Sequence, residues 1–393
     1  MRHTLFLIIM LLSLSCTSRS QARRDSINTT SADSLSAIDS IIPADTLRLL
    51  FVGDLMQHQG QINAARTAKG YDYSTCFEYV KEEISRADLA IANLEVTLGG
   101  KPYKGYPAFS APDEFLTAIH DAGFNVLVTA NNHSLDRGRP GLERTIQLID
   151  TLKIPHAGTY INSEAREKEY PLLLEKNGFR IALLNYTYGT NGIPVTPPNI
   201  VNYIDTVIIA KDIEAGKALK PDAIIACMHW GIEYQSLPDK EQKFLADWLL
   251  RKGVDHVIGS HPHVVQPIEV RTDSLTNDKH LIVYSLGNFI SNMSARRTDG
   301  GLMVRMELVK DSTTRLNNCE YSLVWTARPM QSGKKNHQLL PVNLPADSIP
   351  LQARNSLKIF TNNARTLFSK HNRGIKEYTF YEKKEQNLLE IKR

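Results

Sequence analysis

The chain has 393 residues, with 46 Lys and Arg against 42 Asp and Glu, and 42% of its side chains are apolar. That length suits one large domain or two ordinary ones, and a formal charge of +4, spread along the chain, leaves no electrostatic footprint for nucleic acid. The four cysteines, at 16, 76, 227 and 319, form no Cys-x-x-Cys pair, which argues against a thiolate zinc site.

Residues 1–16 have the make-up of an export signal. Arg2 and His3 give a short basic start, and Leu5 to Leu12 an apolar core too short to span a bilayer. Ser13-Leu14-Ser15-Cys16 closes the segment. The small residue before Cys16 resembles a bacterial lipobox, which implies that Cys16 is lipidated, becomes the new N-terminus and ties an exported chain to a membrane on its envelope or periplasmic side. The alternative is an ordinary signal peptide cleaved nearby. Residues 17–45 are rich in Ser, Thr, Asp and Ala and poor in aromatics, the composition of a disordered tether. Asp25-Ser26-Ile27, Asp33-Ser34-Leu35, Asp39-Ser40-Ile41 and Asp45-Thr46-Leu47 resemble the O-glycosylation sequon of some Gram-negative bacteria, although short triplets recur by chance in such a segment.

The folded part begins at about Leu47. Leu47 to Val52 reads as a buried strand that runs into Gly53-Asp54-Leu55-Met56-Gln57-His58. Tyr73 to Arg86 has helical spacing, with Phe77, Val80 and Ile84 on one face. Leu89 to Ala92 is a second strand, ending in Asn93-Leu94-Glu95. Pro112 to Ala122 is a helix, Phe124 to Thr129 a third strand and Gly141 to Leu152 a further helix. This rhythm predicts βα units and a largely parallel sheet. From Tyr170 the pattern changes. Pro171 to Glu175 and Phe179 to Tyr186 flank Lys176-Asn177-Gly178, a hairpin signal. Tyr188 to Asn202, rich in Gly, Pro and Asn, is a loop placed at the mouth of a site. Thr206 to Leu219 is helical. Ala223 to Met228 is a strand ending in His229-Trp230-Gly231, and Lys240 to Arg251 a helix. His256 to Ile258 is a short strand ending in Gly259-Ser260-His261-Pro262-His263, and Leu281 to Ser285 one ending in Leu286-Gly287-Asn288-Phe289. Leu302 to Val309 and Tyr321 to Trp325 close the β-rich part, and residues 350–370 are helical.

Chemistry gathers at the strand ends. Val128 to Gly138, Val-Thr-Ala-Asn-Asn-His-Ser-Leu-Asp-Arg-Gly, turns from apolar to polar where open α/β sheets place their sites. Asn132 offers a neutral oxygen ligand and His133 a proton carrier; the bland alternative is a turn whose Asp136 caps the next helix. Five strand ends together supply Asp54 with His58, Glu95, Asn132 with His133, His229, and His261 with His263. Carboxylate, carboxamide and imidazole suit Zn, Mn or Fe better than Mg or Ca, and such ions lower the pKa of water and neutralise an oxyanion. On an extended backbone, His261 and His263 would point to one face. Taken singly, each residue has a structural explanation; all of them holding together at every strand end is much less economical. Cys76 and Cys227 sit in apolar surroundings that suit buried thiols.

The ordered set Gly-Asp, Asn-Leu-Glu, Ala-Asn-Asn-His-x-x-Asp-x-Gly, His-Trp-Gly-x-Glu-Tyr, Gly-x-His-Pro-His and Ser-Leu-Gly-Asn-Phe, over about residues 48–292, strongly resembles the bacterial capsule synthesis protein CapA, or poly-γ-glutamate synthesis, family. That family looks like a branch of the calcineurin-like metallophosphoesterases, which implies a four-layer α/β/β/α sandwich of the metallo-dependent phosphatase type over one or two divalent ions. It also implies a domain at residues 46–330 with a partly helical C-terminal extension at 331–393. By the same resemblance Asn132, His229 and His261 would hold one metal, Asp54 and His263 the other, Glu95 would bridge, and His133, oriented by Asp136, would donate the proton. The family's Asp-x-His is replaced by Asp54 with His58 four residues on, and its bridging aspartate by Glu95. Asn93, Arg137, Trp230, Glu233, Tyr234 and Asn288, within or beside the motifs, are the candidates for substrate contact. The expected substrate is a phosphoester or an amide-linked, anionic envelope polymer, with other capsule-synthesis proteins as partners. A second reading keeps the fold and drops the catalysis: an envelope protein that binds or tethers an anionic polymer. The Asn132-His133 pair favours the hydrolase, since a binder needs no proton donor.

Overall fold

Thr46–Leu55 is a strand with both faces buried, as its nearly unbroken apolar run requires. Leu47, Leu49 and Phe51 enter one core and Leu50 and Val52 another. That alternation defines the layers of the fold. In this computed structural model, which describes residues 45–380, two sheets face each other across the first core. Helices cover the outer face of each sheet.

In the first sheet Thr46–Leu55 lies between Leu89–Leu94, parallel to it, and Gly300–Lys310, antiparallel. Val126–Val128 and His156–Ala157 continue the parallel side; Thr314–Ala327 and Gln338–Pro341 continue the antiparallel side. The helices Asp113–Asp121 and Gly138–Thr151 pack on its outer face through Phe115, Leu116, Ile119 and Ile149. The second sheet runs Ile268–Thr272, Lys279–Val283, His256–Ser260, Ala223–His229, Phe179–Thr187, Leu172–Lys176. Its helices, Thr206–Ala218 and Lys240–Lys252, bury Ile209, Ile213, Leu245 and Leu249. Both start on an aspartate that accepts backbone N–H groups, Asp205 and Asp239, as a helix N-terminus needs. The hairpin turns at Asn177 and Gly178, both at positive φ, as a tight two-residue connection demands. The result is the expected four-layer α/β/β/α order.

Three expectations change. The helix predicted over Tyr73 to Arg86 survives only as Lys81–Ser85. Phe77, Val80 and Ile84 still face the core, but the Cys76 carbonyl accepts the Leu339 N–H and leaves no helical ladder there. The sheet is mixed rather than largely parallel, because Gly300–Lys310 docks antiparallel beside the first strand. The segment expected as an extension belongs to the same core: Leu351–His371 buries Ala353, Leu357, Phe360, Ala364 and Phe368 among the residues between the sheets. The signal, Cys16 and all of the tether but Asp45 lie outside the described residues. Of the sequon-like triplets only the last is described; it enters the first strand with Thr46 buried. No helix among the described residues is long and apolar enough to cross a membrane. Cys76, Cys227 and Cys319 are free and buried.

Candidate metal centre

Gly53 and Gly287 meet back to back. A Cβ on Gly53 would stand 1.8 Å from the Gly287 carbonyl oxygen, so only glycine allows this approach. It lets the Asp54 N–H donate to that oxygen at 3.0 Å and places a bulge in the strand at Gly53. Asp54 then stands in register with Asn93 on one side and Asn288 on the other.

Each sheet supplies part of one cluster. Asp54, Glu95 and Asn132 come from strand ends of the first sheet; His229, His261 and His263 come from the second. All six are buried. Ligand atoms of Asp54, Glu95 and His229 lie within 4.8 Å of one another, as do those of Glu95, His261 and His263. Glu95 is common to both groups. Its Oε1 is 3.7 Å from His229 Nε2 and 3.8 Å from His263 Nε2. These groups pair Asp54 with His229 and His261 with His263, across the expected division, while two closer contacts follow it: Asn132 Oδ1 is 2.9 Å from His229 Nε2, and Asp54 Oδ2 is 3.3 Å from His263 Nδ1. Three buried atoms here have no hydrogen-bond partner: Asp54 Oδ2, Glu95 Oε1 and His261 Nδ1. Buried polar atoms are nearly always paired, so three converging orphans of ligand type fit a bound cation. The donor set of carboxylate, carboxamide and imidazole fits a transition metal.

The electrostatics of the cluster are divided. Burial, then the neighbouring Asp54 carboxylate, pushes Glu95 well above the usual carboxylate range. Burial would raise Asp54 too, but the adjacent His263 imidazole, 3.3 Å away, holds it below its ordinary value. His263 is the reverse case: burial lowers it, and Asp54 more than restores it. Burial and the adjacent imidazoles keep His229 well below normal and His261 at about 3, which are the neutral forms a metal needs.

The supporting side chains fix which atoms face the cluster. Asn288 Nδ2 donates to the Thr298 carbonyl at 2.8 Å, so its Oδ1 faces His263 Nδ1 at 3.0 Å and accepts that N–H. Nε2 of His263 is thereby left bare toward Glu95. Asn93 Nδ2 reaches Asp54 Oδ1 at 2.8 Å, Glu95 Oε2 at 3.2 Å and His229 Nδ1 at 3.4 Å. Both carboxamides, expected to touch substrate, are buried and orient ligand-type side chains instead.

His133 stands beside Asn132 with its Nδ1 2.8 Å from Asp136 Oδ2. The same oxygen accepts the Phe109 N–H at 2.8 Å, and the Phe109 ring meets the imidazole edge-on at 4.6 Å. Asp136 therefore caps no helix: Gly138–Thr151 begins without a side-chain cap. Burial raises the Asp136 carboxyl above its usual value, the His133 hydrogen bond opposing it.

Other expected site residues lie elsewhere. His58 is outside both groups; its Nδ1 is 3.3 Å from Gln61 Oε1 and from the Asn292 N–H, and burial lowers it to about 4. The Trp230 indole turns into the outer core and donates to the Tyr284 carbonyl at 3.0 Å. Arg137 donates to the Pro102 carbonyl at 3.0 Å, with its stem against Gly99. Glu233 and Tyr234 stay at the mouth, the latter 43% exposed. His261 and His263 meet through a turn rather than an extended run: their φ values are 100° and 56°, with ring centroids 6.0 Å apart. Such strained backbone in non-glycine residues concentrates at functional sites. Phe109, Asn131, Tyr188 and Asn191 had no role assigned from sequence. Asn131 donates to the Asn93 carboxamide oxygen at 3.1 Å, Asn191 accepts from Asn132 Nδ2 at 3.1 Å, and the Tyr188 ring lies 4.5 Å from that of His261. The last two sit in the loop placed at the mouth, which was the available signal.

Residues 48–293 match the family described as bacterial capsule synthesis protein PGA_cap. The chain is 28% identical over 287 residues to the capsule biosynthesis protein CapA of Bacillus anthracis, covering 70% of this chain and 66% of that protein, just under two thirds of its length. It is 31% identical over 281 residues to the PGA biosynthesis protein CapA of Bacillus subtilis (strain 168), covering 69% of this chain and 70% of that one. Among solved structures, the NAD nucleotidase of Haemophilus influenzae matches with a TM-score of 0.44 at 11% identity, over 85% of this chain and 57% of that one.

Proposed function

The chain belongs to the bacterial capsule synthesis protein PGA_cap family, and from that premise we propose that it is an exported, metal-dependent hydrolase of a capsule, poly-γ-glutamate or other anionic envelope polymer, or of a phosphoester within one. The observation that supports this most is the buried, unpartnered Oε1 of Glu95, shared by two groups of ligand-type atoms. Envelope location rests on the family; a lipid anchor at Cys16 and capsule-synthesis partners belong to the same proposal.

Asp54, Glu95, Asn132, His229, His261 and His263 would hold one or two divalent ions, Mn, Zn or Fe. Such ions, when bound, lower the pKa of water and neutralise developing negative charge. The chain's own residues do the rest. Asn93 and Asn288 aim the carboxylates and imidazoles. Asp136 accepts the Nδ1–H of His133, which fixes the ring and leaves Nε2 as the nitrogen that protonates the leaving group. The Phe109 ring keeps water from one side of that imidazole.

The test is elemental analysis of protein reconstituted with Mn or Zn, followed by turnover of bis(p-nitrophenyl) phosphate and of poly-γ-glutamate. Metal uptake with hydrolysis of either substrate supports the reading. Metal uptake without turnover makes the chain a polymer-binding protein, and no uptake removes the metal centre.

A further inference from the structure

Three exposed tyrosines stand around the centre, each beside a different imidazole. Tyr188 lies 4.5 Å from His261, Tyr234 6.4 Å from His263 and Tyr106 6.5 Å from His133, centroid to centroid. They are 48%, 43% and 71% exposed, and they come from three separate loops. Single exposed aromatics need no explanation, but three converging on one buried polar cluster do.

The loops are held in place. The Tyr188 N–H donates to the His229 carbonyl at 3.0 Å, and the Tyr234 N–H to the carbonyl of Pro262, between the two turn histidines, at 2.9 Å. Tyr234 keeps a φ of 66°, a left-handed conformation a bulky residue adopts only when its surroundings impose it. Glu233 belongs to the same rim. Burial and then its carboxylate push both Tyr188 and Tyr234 up to about 12, and Tyr234 also feels Tyr106.

Among the described residues, the acids at this rim have no Lys or Arg partner: Asp54, Glu95 and Asp136 form ion pairs only with histidines, and Glu233 forms none. A chain with a carboxylate on every residue would bring negative charge against Glu233, which disfavours binding at that point. A sugar ring suits the rim better. Its C–H faces meet the electron-rich faces of tyrosine, and its hydroxyls donate to a carboxylate and exchange hydrogen bonds with phenols.

We propose that Tyr106, Tyr188, Glu233 and Tyr234 form a saccharide subsite, so that the centre prefers a sugar-linked ester with one anionic group to a bare polyanion. The placement of that anionic group rests on the metal reading above. The rim comes from loops between the strands and helices, so it adds substrate choice without altering the ligand set.

The experiment titrates Mn-loaded full chain with glucose 1-phosphate, galactose 1-phosphate and N-acetylglucosamine 1-phosphate, against glycerol phosphate and γ-linked triglutamate, by calorimetry. At least one sugar phosphate is expected to bind about tenfold or more tightly than glycerol phosphate and triglutamate, a margin that a few stacking contacts supply. The double variant Tyr106→Ala, Tyr234→Ala is expected to lose that preference while its Mn titration stays unchanged. Glycerol phosphate or triglutamate binding as well as every sugar phosphate overturns the proposal, and so does a preference that survives in the variant. If wild type takes up no Mn or Zn, the metal reading falls, and the rim is judged on the metal-free chain by saturation-transfer NMR with the same sugar phosphates. Transfer to ring C–H protons that disappears in the double variant upholds it; no transfer, or equal transfer in both proteins, overturns it.

Discussion

Glu95 is fully buried next to Asp54, and burial and that neighbour both oppose its charge. Glu95→Gln should therefore act in opposite directions. Without metal it relieves like-charge repulsion and raises the melting temperature by a few degrees, on the order of 1 kcal/mol. With metal it weakens the site, so the gain in stability on loading shrinks. Scanning calorimetry with EDTA and with Mn reads both; a variant less stable than wild type in EDTA contradicts the account. His133 gives a second prediction. His133→Ala should lose about a hundred- to ten-thousand-fold in turnover while keeping its metal, whereas His261→Ala should lose metal and turnover together. Full activity in His133→Ala would remove the proton-donor role. At this scale most ligand-type residues were legible, because each interrupts an apolar run at a strand end. The direction of Trp230 was not: a residue inside a polar motif can still face the outer core, and that depends on where the Tyr284 carbonyl lies. Nor was the mutual support of Asn93 and Asn131, which lie 38 positions apart.

Elements carry the site by where they stop. The strand positions could be read because strands buried on both faces are continuous apolar runs, and Thr46–Leu55 shows this directly. The helix from Tyr73 could not be trimmed from sequence, since the Leu339 N–H that ends it arrives from far along the chain. Leu351–His371 was visible as a helix, but its depth between the sheets was not. Phe360, 2% exposed, sits on that helix against Gly300. Phe360→Ala should cost about 3–5 kcal/mol, read as a shift in urea midpoint; a loss below about 1 kcal/mol would place the helix outside the cooperative core. His256, at the start of its strand, accepts the Leu281 N–H at 3.0 Å, and burial lowers it to about 3 from 6.5. The unfolded chain protonates this imidazole below about pH 6.5 and the folded one does not until about pH 3. Its contribution is whole above the upper limit and is lost as pH falls through that window. His256→Gln should therefore be closer to wild type in urea midpoint at pH 4.5 than at pH 7; a difference that does not narrow sinks the assignment.

For the whole molecule, the proposed export and anchoring rest on residues 1–45, nearly all of them outside the described part. Labelled palmitate should enter wild type and not Cys16→Ala; equal labelling would leave cleavage by an ordinary signal peptidase. The described part has a feature with a kinetic consequence. Its ligand set is divided between two sheets, and the residues concerned are up to 209 positions apart, from Asp54 to His263. Neither half alone presents the cluster, so a chain with one sheet formed has nowhere to keep an ion. On the metal reading proposed above, capture of an ion would be a clock for the end of folding. During refolding from urea, zinc should disappear from a chelating dye only as the last tertiary signal arrives. A chain that finishes folding outside the cytoplasm would take its ion from what that compartment supplies, whatever the order of intrinsic affinities.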